Sequence, residues 1–205
     1  GFIFIGGIKR IAGFAEKMVP FMASVYVLGA IYIMCTFGSH IIPTIESIFI
    51  GAFDPTAATG GVIGASVKEA IRYGVARGLF SNEAGMGSTP HAHAIARVKH
   101  PVEQGLAAII GLFIDTFIVL TATALVILVT GSLDGTKTGI ELTQAAFVKG
   151  MGTAGSGFVA LCLFFAAFTT IIGWYFFAVQ NVKYLFGYKV INIFSVIVLC
   201  FLMTG

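Results

Sequence analysis

Long apolar runs, separated by short polar stretches, dominate the chain. The runs at 17–37, 104–130 and 155–186 are each long enough to cross the hydrocarbon of a bilayer, which takes about 20 helical residues. A further apolar run occupies 190–205. Shorter runs at 41–53 and 138–149 cannot span and predict amphipathic or interfacial connecting helices. The pattern therefore predicts an all-α polytopic membrane protein.

Residues 60–98 break this pattern, because polar side chains, glycines and a proline interrupt what would otherwise be a span. We expect one half-helix over 60–78, an extended break over 79–87 and a second half-helix over 88–98. A bilayer tolerates irregular backbone only where protein buries it or where it lines a cavity. The segment therefore predicts a cavity that holds a small polar solute, with a simple kink at Pro90 as the alternative.

Composition and charge agree with this class and give an orientation. Hydrophobic residues make up 58% of the chain and charged residues 10%, against about a quarter in soluble domains. Basic residues concentrate on the cytoplasmic side of membrane proteins. If successive spans cross the membrane in opposite directions, seven basic residues lie on the same side, which we therefore assign as cytoplasmic: Lys9, Arg10, Lys17, Arg97, Lys99, Lys183 and Lys189. We expect a plasma-membrane protein in contact with lipid, without a nucleic-acid partner, whose broken helix runs inward.

Glycine at the break indicates what the cavity holds. Gly85 and Gly87 flank Met86 and follow Asn82 and Glu83, where the backbone must be free to unwind. An unwound segment leaves amides and carbonyls unpaired, and the half-helix ends add dipoles of defined sign. Helix N-terminal ends suit a carboxylate, and C-terminal ends suit an ammonium group or Na⁺. An amino-acid zwitterion needs both.

A pair of hydroxyls in the last complete span suggests a cation site. Thr169 and Thr170 lie in an uncharged stretch, 150–182, and offer oxygen ligands without charge. The carbonyl of Ala166, one turn earlier, could join them around Na⁺. The alternative is that both hydroxyls bond to carbonyls of their own helix. Trp174 follows Thr170 by four residues, on the same helix face, and could line the substrate cavity.

Three charged residues near membrane depth are candidates for gating or coupling. Asp115 lies within an apolar span, where acids are costly and usually paired. We expect Arg77 or Arg72 to be its partner, in a structural ion pair or in a coupling role. Glu83 could pair with Arg77 across the break.

Several motifs together resemble one transporter family. The longest is Gly78-Leu-Phe-Ser-Asn-Glu-Ala-Gly-Met-Gly-Ser88, which is similar to the signature of the sodium:alanine (alanine or glycine:cation) symporter family. Five further segments fit that family's pattern: Ala15–Met22, Gly74–Arg77, His100–Val102, Phe113–Thr116 and Phe168–Trp174. The likeness covers essentially the whole chain, with His91 and His93 standing where small residues are expected.

The resemblance implies a LeuT-type inverted-repeat fold. The chain would hold helices five to eight and the start of nine, as part of a single transporter domain in a longer protein whose unwound helix one supplies the other half of the site. We expect substrate contacts from Phe80, Ser81, Asn82, Gly85, Met86, Gly87, Thr170 and Trp174. We expect sodium ligands from Ala166, Thr169 and Thr170.

The predicted function is sodium-coupled symport of a small neutral amino acid, alanine or glycine, by alternating access. Phe80, Met86 and Trp174 would limit the substrate's size. We expect no enzymatic activity, no cofactor besides the co-transported Na⁺, and a monomer. A proton-coupled transporter of the same fold is the alternative. A channel is less favoured, since polar residues cluster at one depth, and an intramembrane enzyme lacks a nucleophile–base pair.

Overall fold

The computed structural model describes residues 7–53, 61–133 and 135–204, and every regular element in these ranges is helical. The α-helices are α1 (Gly7–Thr36), α2 (Gly38–Phe53), α3 (Gly61–Ser81), α4 (Thr89–His93), α5 (Pro101–Phe113), α6 (Thr121–Val129), α7 (Ile140–Met151), α8 (Ala154–Phe186) and α9 (Ile191–Thr204). A π-helical segment, Ile114–Leu120, joins α5 to α6, and a 3₁₀ turn, Tyr188–Val190, precedes α9.

Within the described ranges, three helical segments are long and apolar enough to cross a membrane: Gly13–Thr36, Pro101–Val129 and Ala154–Phe186. Their ends lie within four residues of those predicted from the apolar runs. The helical content and these three segments confirm the all-α membrane class. Gly60 and Gly205, the predicted ends of two further spans, lie outside the described residues.

The broken span differs from its prediction in two ways. Helix α3 continues through Ser81, and the break is a series of hydrogen-bonded turns rather than extended chain: the Ala84 amide donates to the Leu79 carbonyl at 2.9 Å. The second half-helix, α4, is only five residues long. The predicted half-helix over 88–98 is therefore shorter than expected, and the chain is extended at His100 before α5 begins at Pro101.

The third span is continuous but changes its hydrogen-bond pattern at its centre. Over Ile114–Leu120 the helix adopts π geometry, in which each amide bonds five residues back and the turn is wider. Thr121 supports this segment, because its hydroxyl donates to the Thr116 carbonyl five residues earlier, at 3.4 Å. Such π-segments within α-helices are often found at functional sites.

The chain divides into two compact units, and one consists of Gly1–Tyr26 together with Ala160–Gly205. Its core contains Ile172, Tyr175 and Val179 from α8, packed against aromatic and aliphatic side chains of α1 and α9. Tyr175 also forms a 2.6 Å hydrogen bond between its hydroxyl and that of Ser195. This bond satisfies a polar group that would otherwise be buried unpaired at considerable cost.

The second unit is Val27–Val159. Its core is built around Ile33, Val126 and Phe147, which are almost fully buried. Gly150 lies against Ile33, where a Cβ atom would come within 2.6 Å of the Ile33 side chain, so only glycine permits this close approach. Phe147 stacks on Phe158 with ring centroids 5.4 Å apart. The broken helix and the π-segment both belong to this unit.

Candidate substrate and cation sites

The break after α3 owes its shape to three residues with positive φ. Gly85 and Gly87 adopt φ values of +78° and +77°, a region that costs glycine little and other residues substantially more. Glu83 has φ +51° and is the one non-glycine residue with positive φ in the described part of the chain. Backbone strain of this kind persists only where surrounding contacts maintain it, and it concentrates at functional sites.

The carboxylate of Glu83 supplies those contacts. One of its oxygens accepts hydrogen bonds from the Ser88 hydroxyl at 2.5 Å and the Thr89 hydroxyl at 2.6 Å. Hydrogen bonds to an ionised group are about twice as strong as neutral ones. The side chain thereby bridges the whole turn and ties the end of the break to the start of α4.

Two further hydrogen bonds tie the end of α3 to the π-segment. The Ser81 hydroxyl donates to Asp115 Oδ2 at 3.1 Å. The Thr116 hydroxyl donates to Asn82 Oδ1, also at 3.1 Å. The last residue of α3 and the residue that follows it thus pair with two consecutive residues of the π-segment. We call these four residues the break cluster.

The break cluster corrects the predicted ion pairs. Asp115 pairs with Ser81, and Glu83 with Ser88 and Thr89, so neither is paired with an arginine among the described residues. Arg77 is exposed on α3, and Arg72 lies with its guanidinium 5.9 Å from the centre of the Tyr73 ring. The carboxylates bond to hydroxyls because these are the nearer groups. Ser88 and Thr89 lie in the same turn as Glu83, and Ser81 lies opposite Asp115.

The remaining predicted residues of the break are open to their surroundings. Phe80 is exposed over 67% of its surface and Met86 over 45%, whereas Asn82 is only half-buried. Each of these residues lies in or beside the break, as the sequence predicted. Their role in substrate binding stays a prediction.

The predicted cation ligands are close together on α8. The Thr169 hydroxyl donates to the Ala166 carbonyl at 3.0 Å and also to the Phe165 carbonyl, while the Thr170 hydroxyl donates to Ala166 at 2.8 Å. Three uncharged oxygens therefore meet at one point of the helix. These bonds also fit the alternative reading of the sequence, in which both threonine hydroxyls simply bond to carbonyls of their own helix. Each hydroxyl oxygen retains lone pairs for a cation.

Trp174 is partly exposed, and its ring lies nearly perpendicular to that of Phe177 at a centroid distance of 5.8 Å. It remains a predicted cavity residue.

Sequence reasoning gave no role to Thr116, Ser88 or Thr89, each of which is bonded to a predicted site residue. For Thr116 the sequence carries a signal, because its hydroxyl directly follows the intramembrane acid Asp115.

Comparison with known families matches the sodium:alanine symporter family over residues 1–205, the whole chain. The chain belongs to the sodium:alanine symporter family. The resemblance carried by residues 78–88 is thereby confirmed. The family members are transporters and not enzymes, and the chain is part of a multi-pass protein of the cell membrane.

Several relatives within this family are identical to the chain at more than a third of the aligned positions. A putative sodium/proton-dependent alanine carrier of Bacillus subtilis is 44% identical over 90% of this chain and 40% of its own length. A sodium/alanine symporter of Methanococcus maripaludis is 39% identical over 95% of this chain and 43% of its own. A probable sodium/glutamine symporter of Bacillus subtilis is 37% identical over 100% of this chain and 42% of its own. The chain thus spans less than half the length of these relatives.

Proposed function

We propose that the protein containing this chain is a sodium-coupled symporter of a small neutral amino acid, alanine or glycine, working by alternating access. In this proposal the chain is part of one transporter domain of LeuT type, which acts as a monomer. The break after α3 contributes to the substrate site, and the threonines of α8 contribute to the sodium site. The observation that supports it most is the pair of hydrogen bonds holding Ser81 and Asn82 against the π-segment.

The break is suited to a small polar substrate for a physical reason. Within the membrane, polar groups are retained where they bind a solute, an ion or one another. Asn82 and Asp115 are both half-buried, and each has one hydrogen-bonding atom directed to a hydroxyl and another left over. Phe80 and Met86, which are exposed in the same segment, are proposed to limit the side chain of the substrate.

Sodium is proposed as the coupling ion because the α8 ligands are uncharged oxygens. A hydroxyl pair and a carbonyl suit Na⁺, whereas proton coupling requires a titratable group. Names of relatives support both ions, since one is called a sodium/proton-dependent alanine carrier and another a sodium/alanine symporter. Proton coupling through Asp115 or Glu83 is therefore the second candidate.

The names of the relatives also bear on the size of the substrate. One relative is named a probable sodium/glutamine symporter, so members of the family are named for neutral amino acids of different length. Phe80, Met86 and Trp174 are the residues proposed to set this limit here. Competition of alanine uptake by glycine and glutamine would rank the three substrates.

Uptake of labelled alanine by the full-length protein in proteoliposomes tests the proposal. An inward Na⁺ gradient should drive accumulation with the internal and external pH equal. An inward proton gradient without Na⁺ should not. Accumulation driven by the proton gradient alone would contradict sodium coupling and favour proton coupling. Absence of accumulation under either gradient would reject alanine symport.

A further inference from the structure

A hydrogen bond at the end of α3 indicates how deep that end lies in the membrane. Ser81, the last residue of α3, donates its hydroxyl to Asp115 at 3.1 Å. Asp115 lies at the middle of Pro101–Val129, a segment long and apolar enough to span a membrane. The inner end of α3 is therefore close to the middle of the bilayer.

Arg77 lies one turn before this end. It precedes Ser81 by four residues, which is about 6 Å along the axis of an α-helix. Any tilt of the helix makes the difference in depth smaller. The hydrocarbon extends about 15 Å to either side of the middle of the bilayer. The backbone at Arg77 is therefore well inside the hydrocarbon.

The described structure does not compensate the charge of Arg77 at this depth. Its side chain is exposed and has no hydrogen-bond or ion-pair partner among the described residues. The two acids of this region, Glu83 and Asp115, accept hydrogen bonds from hydroxyls instead. Charged residues within membrane spans face the protein interior or a water-filled cavity, and they are usually paired. Lipid is therefore an unfavourable surrounding for this face of α3.

The same helix continues without cover away from the break. Residues 68–77 are all exposed, and Tyr73, one turn from Arg77 on the same face, is exposed over 55% of its surface. Tyrosine and arginine are both enriched where protein surfaces meet. The chain covers less than half the length of the relatives compared above. A full-length protein of this length has further segments that can cover the face.

We propose that the face of α3 bearing Arg77 is an interface with the part of the transporter outside residues 1–205, and that an aspartate or glutamate of that part forms an intramembrane ion pair with Arg77. The guanidinium group is a planar fork of N–H donors that fits a carboxylate with two parallel hydrogen bonds. A protein segment can hold a carboxylate at the depth of Arg77, whereas lipid phosphates lie beyond the hydrocarbon edge, about 15 Å from its middle.

Thermal unfolding of the purified full-length protein, measured without alanine and Na⁺, tests the ion pair. Arg77→Leu leaves the partner carboxylate unpaired and should lower the unfolding midpoint by several degrees. If Arg77 faces lipid, the same substitution removes a charge from hydrocarbon, and the midpoint should rise. If Arg77 faces water or binds the substrate, the midpoint should stay unchanged under these conditions. A raised or an unchanged midpoint would overturn the proposal.

Arg72→Leu is the matched control. Arg72 is exposed on the same helix, five residues further from the break and about 14 Å from the level of Ser81, close to the edge of the hydrocarbon. Its substitution should change the unfolding midpoint much less than Arg77→Leu does. Equal losses in the two variants would show that depth in the membrane does not decide the effect, and would contradict the ion pair.

Cross-linking identifies what covers the face. Arg77→Lys keeps the positive charge and supplies an amine, which an apolar carbodiimide joins directly to a carboxylate in contact with it. Mass spectrometry of the full-length protein should find position 77 linked to an aspartate or glutamate outside residues 1–205 of the same polypeptide. A link to Asp115 or Glu83, a link between two polypeptides, or no linked carboxylate would each overturn the proposal. Neither measurement requires transport, so failure here is distinguishable from failure of the proposed alanine symport.

Discussion

The Thr116 hydroxyl donates a 3.1 Å hydrogen bond to the side-chain carbonyl of Asn82, 34 residues earlier in the chain. It joins the first residue after α3 to the π-segment of the following span. A residue that caps a broken helix is thereby fixed by a residue in a helix whose own hydrogen-bond pattern is altered at that position. The break after α3 and the π-segment of the following span are therefore linked directly by side-chain hydrogen bonding.

Removal of the Thr116 hydroxyl should weaken alanine binding without preventing folding. Thr116→Val leaves Asn82 free to rotate and deletes a hydrogen bond of about 0.5–1.5 kcal/mol, which corresponds to a loss of about two- to tenfold in affinity. Equilibrium binding of labelled alanine to the purified full-length protein measures this. Phe113→Leu, at an exposed position of α5, is the control, and an equal effect of both variants would contradict the role of Thr116.

Glycine should be required at position 87 because of its positive backbone φ, and not because a larger side chain would lack space there. Its φ is +77°, yet no described atom lies within 4 Å of a Cβ placed there. Gly87→Val should therefore cost about 1–3 kcal/mol in backbone strain and abolish sodium-driven alanine uptake. Gly74→Ala provides the control, because Gly74 is equally open but sits within α3, where alanine is favoured. Equally mild effects at both positions would favour an ordinary kinked helix.

Glu83 should be needed as a hydrogen-bond acceptor more than as a charge. Glu83→Ala leaves Ser88 and Thr89 without their partner and removes the contacts that maintain φ +51°, so both thermal stability and uptake should fall. Each bond to a charged group contributes about 1.5–3 kcal/mol. Glu83→Gln keeps one acceptor oxygen and should retain much of both properties.

Comparison of Glu83→Ala with Glu69→Ala isolates the position, because Glu69 is exposed on α3. Thermal unfolding of the purified full-length protein and alanine uptake would be measured in all three variants. If Glu83→Gln is as inactive as Glu83→Ala while both remain folded, the charge itself is required and a role in proton coupling gains support.

Two threonines with the same local geometry test the sodium site. Thr170 donates to the carbonyl four residues earlier at 2.8 Å, and Thr123 does the same at 2.8 Å. Substitution by valine therefore removes the same intrahelical bond from each. Thr170→Val should raise the Na⁺ concentration that gives half-maximal alanine uptake, and Thr123→Val should not. An unchanged Na⁺ dependence in Thr170→Val would leave its hydroxyl with a purely structural role.

The sequence predicts the long helices well because their signal is length and apolarity alone. The three spanning segments differ from prediction by no more than four residues at either end. The break was located by Gly85, Gly87 and Asn82, since residues that permit or cap irregular backbone mark its position directly. Its internal turns were not predicted, because the positive φ of Glu83 depends on side-chain contacts that form only after the chain has turned.

The partners of the charged residues could not be predicted for a different reason. Pairing of Asp115 with Ser81 depends on how α3 and the π-segment align, and hydrophobic periodicity does not fix the register of two packed helices. The π-segment at Ile114–Leu120 carries no local composition that distinguishes it from an α-helix. Charge complementarity alone favoured Arg77, which lies on the exposed face of α3 and does not meet either acid in the described structure.

Equilibrium binding of labelled alanine to the purified full-length protein, measured over a range of Na⁺ concentrations, tests the central claim most directly. If Na⁺ and alanine bind to a coupled pair of sites, alanine affinity should rise with Na⁺, and Na⁺ affinity should rise with alanine by the same factor. K⁺ should not replace Na⁺, and Asn82→Ala should abolish the alanine binding while leaving the protein folded. Alanine affinity that is independent of Na⁺, or that is unchanged in Asn82→Ala, would contradict the account.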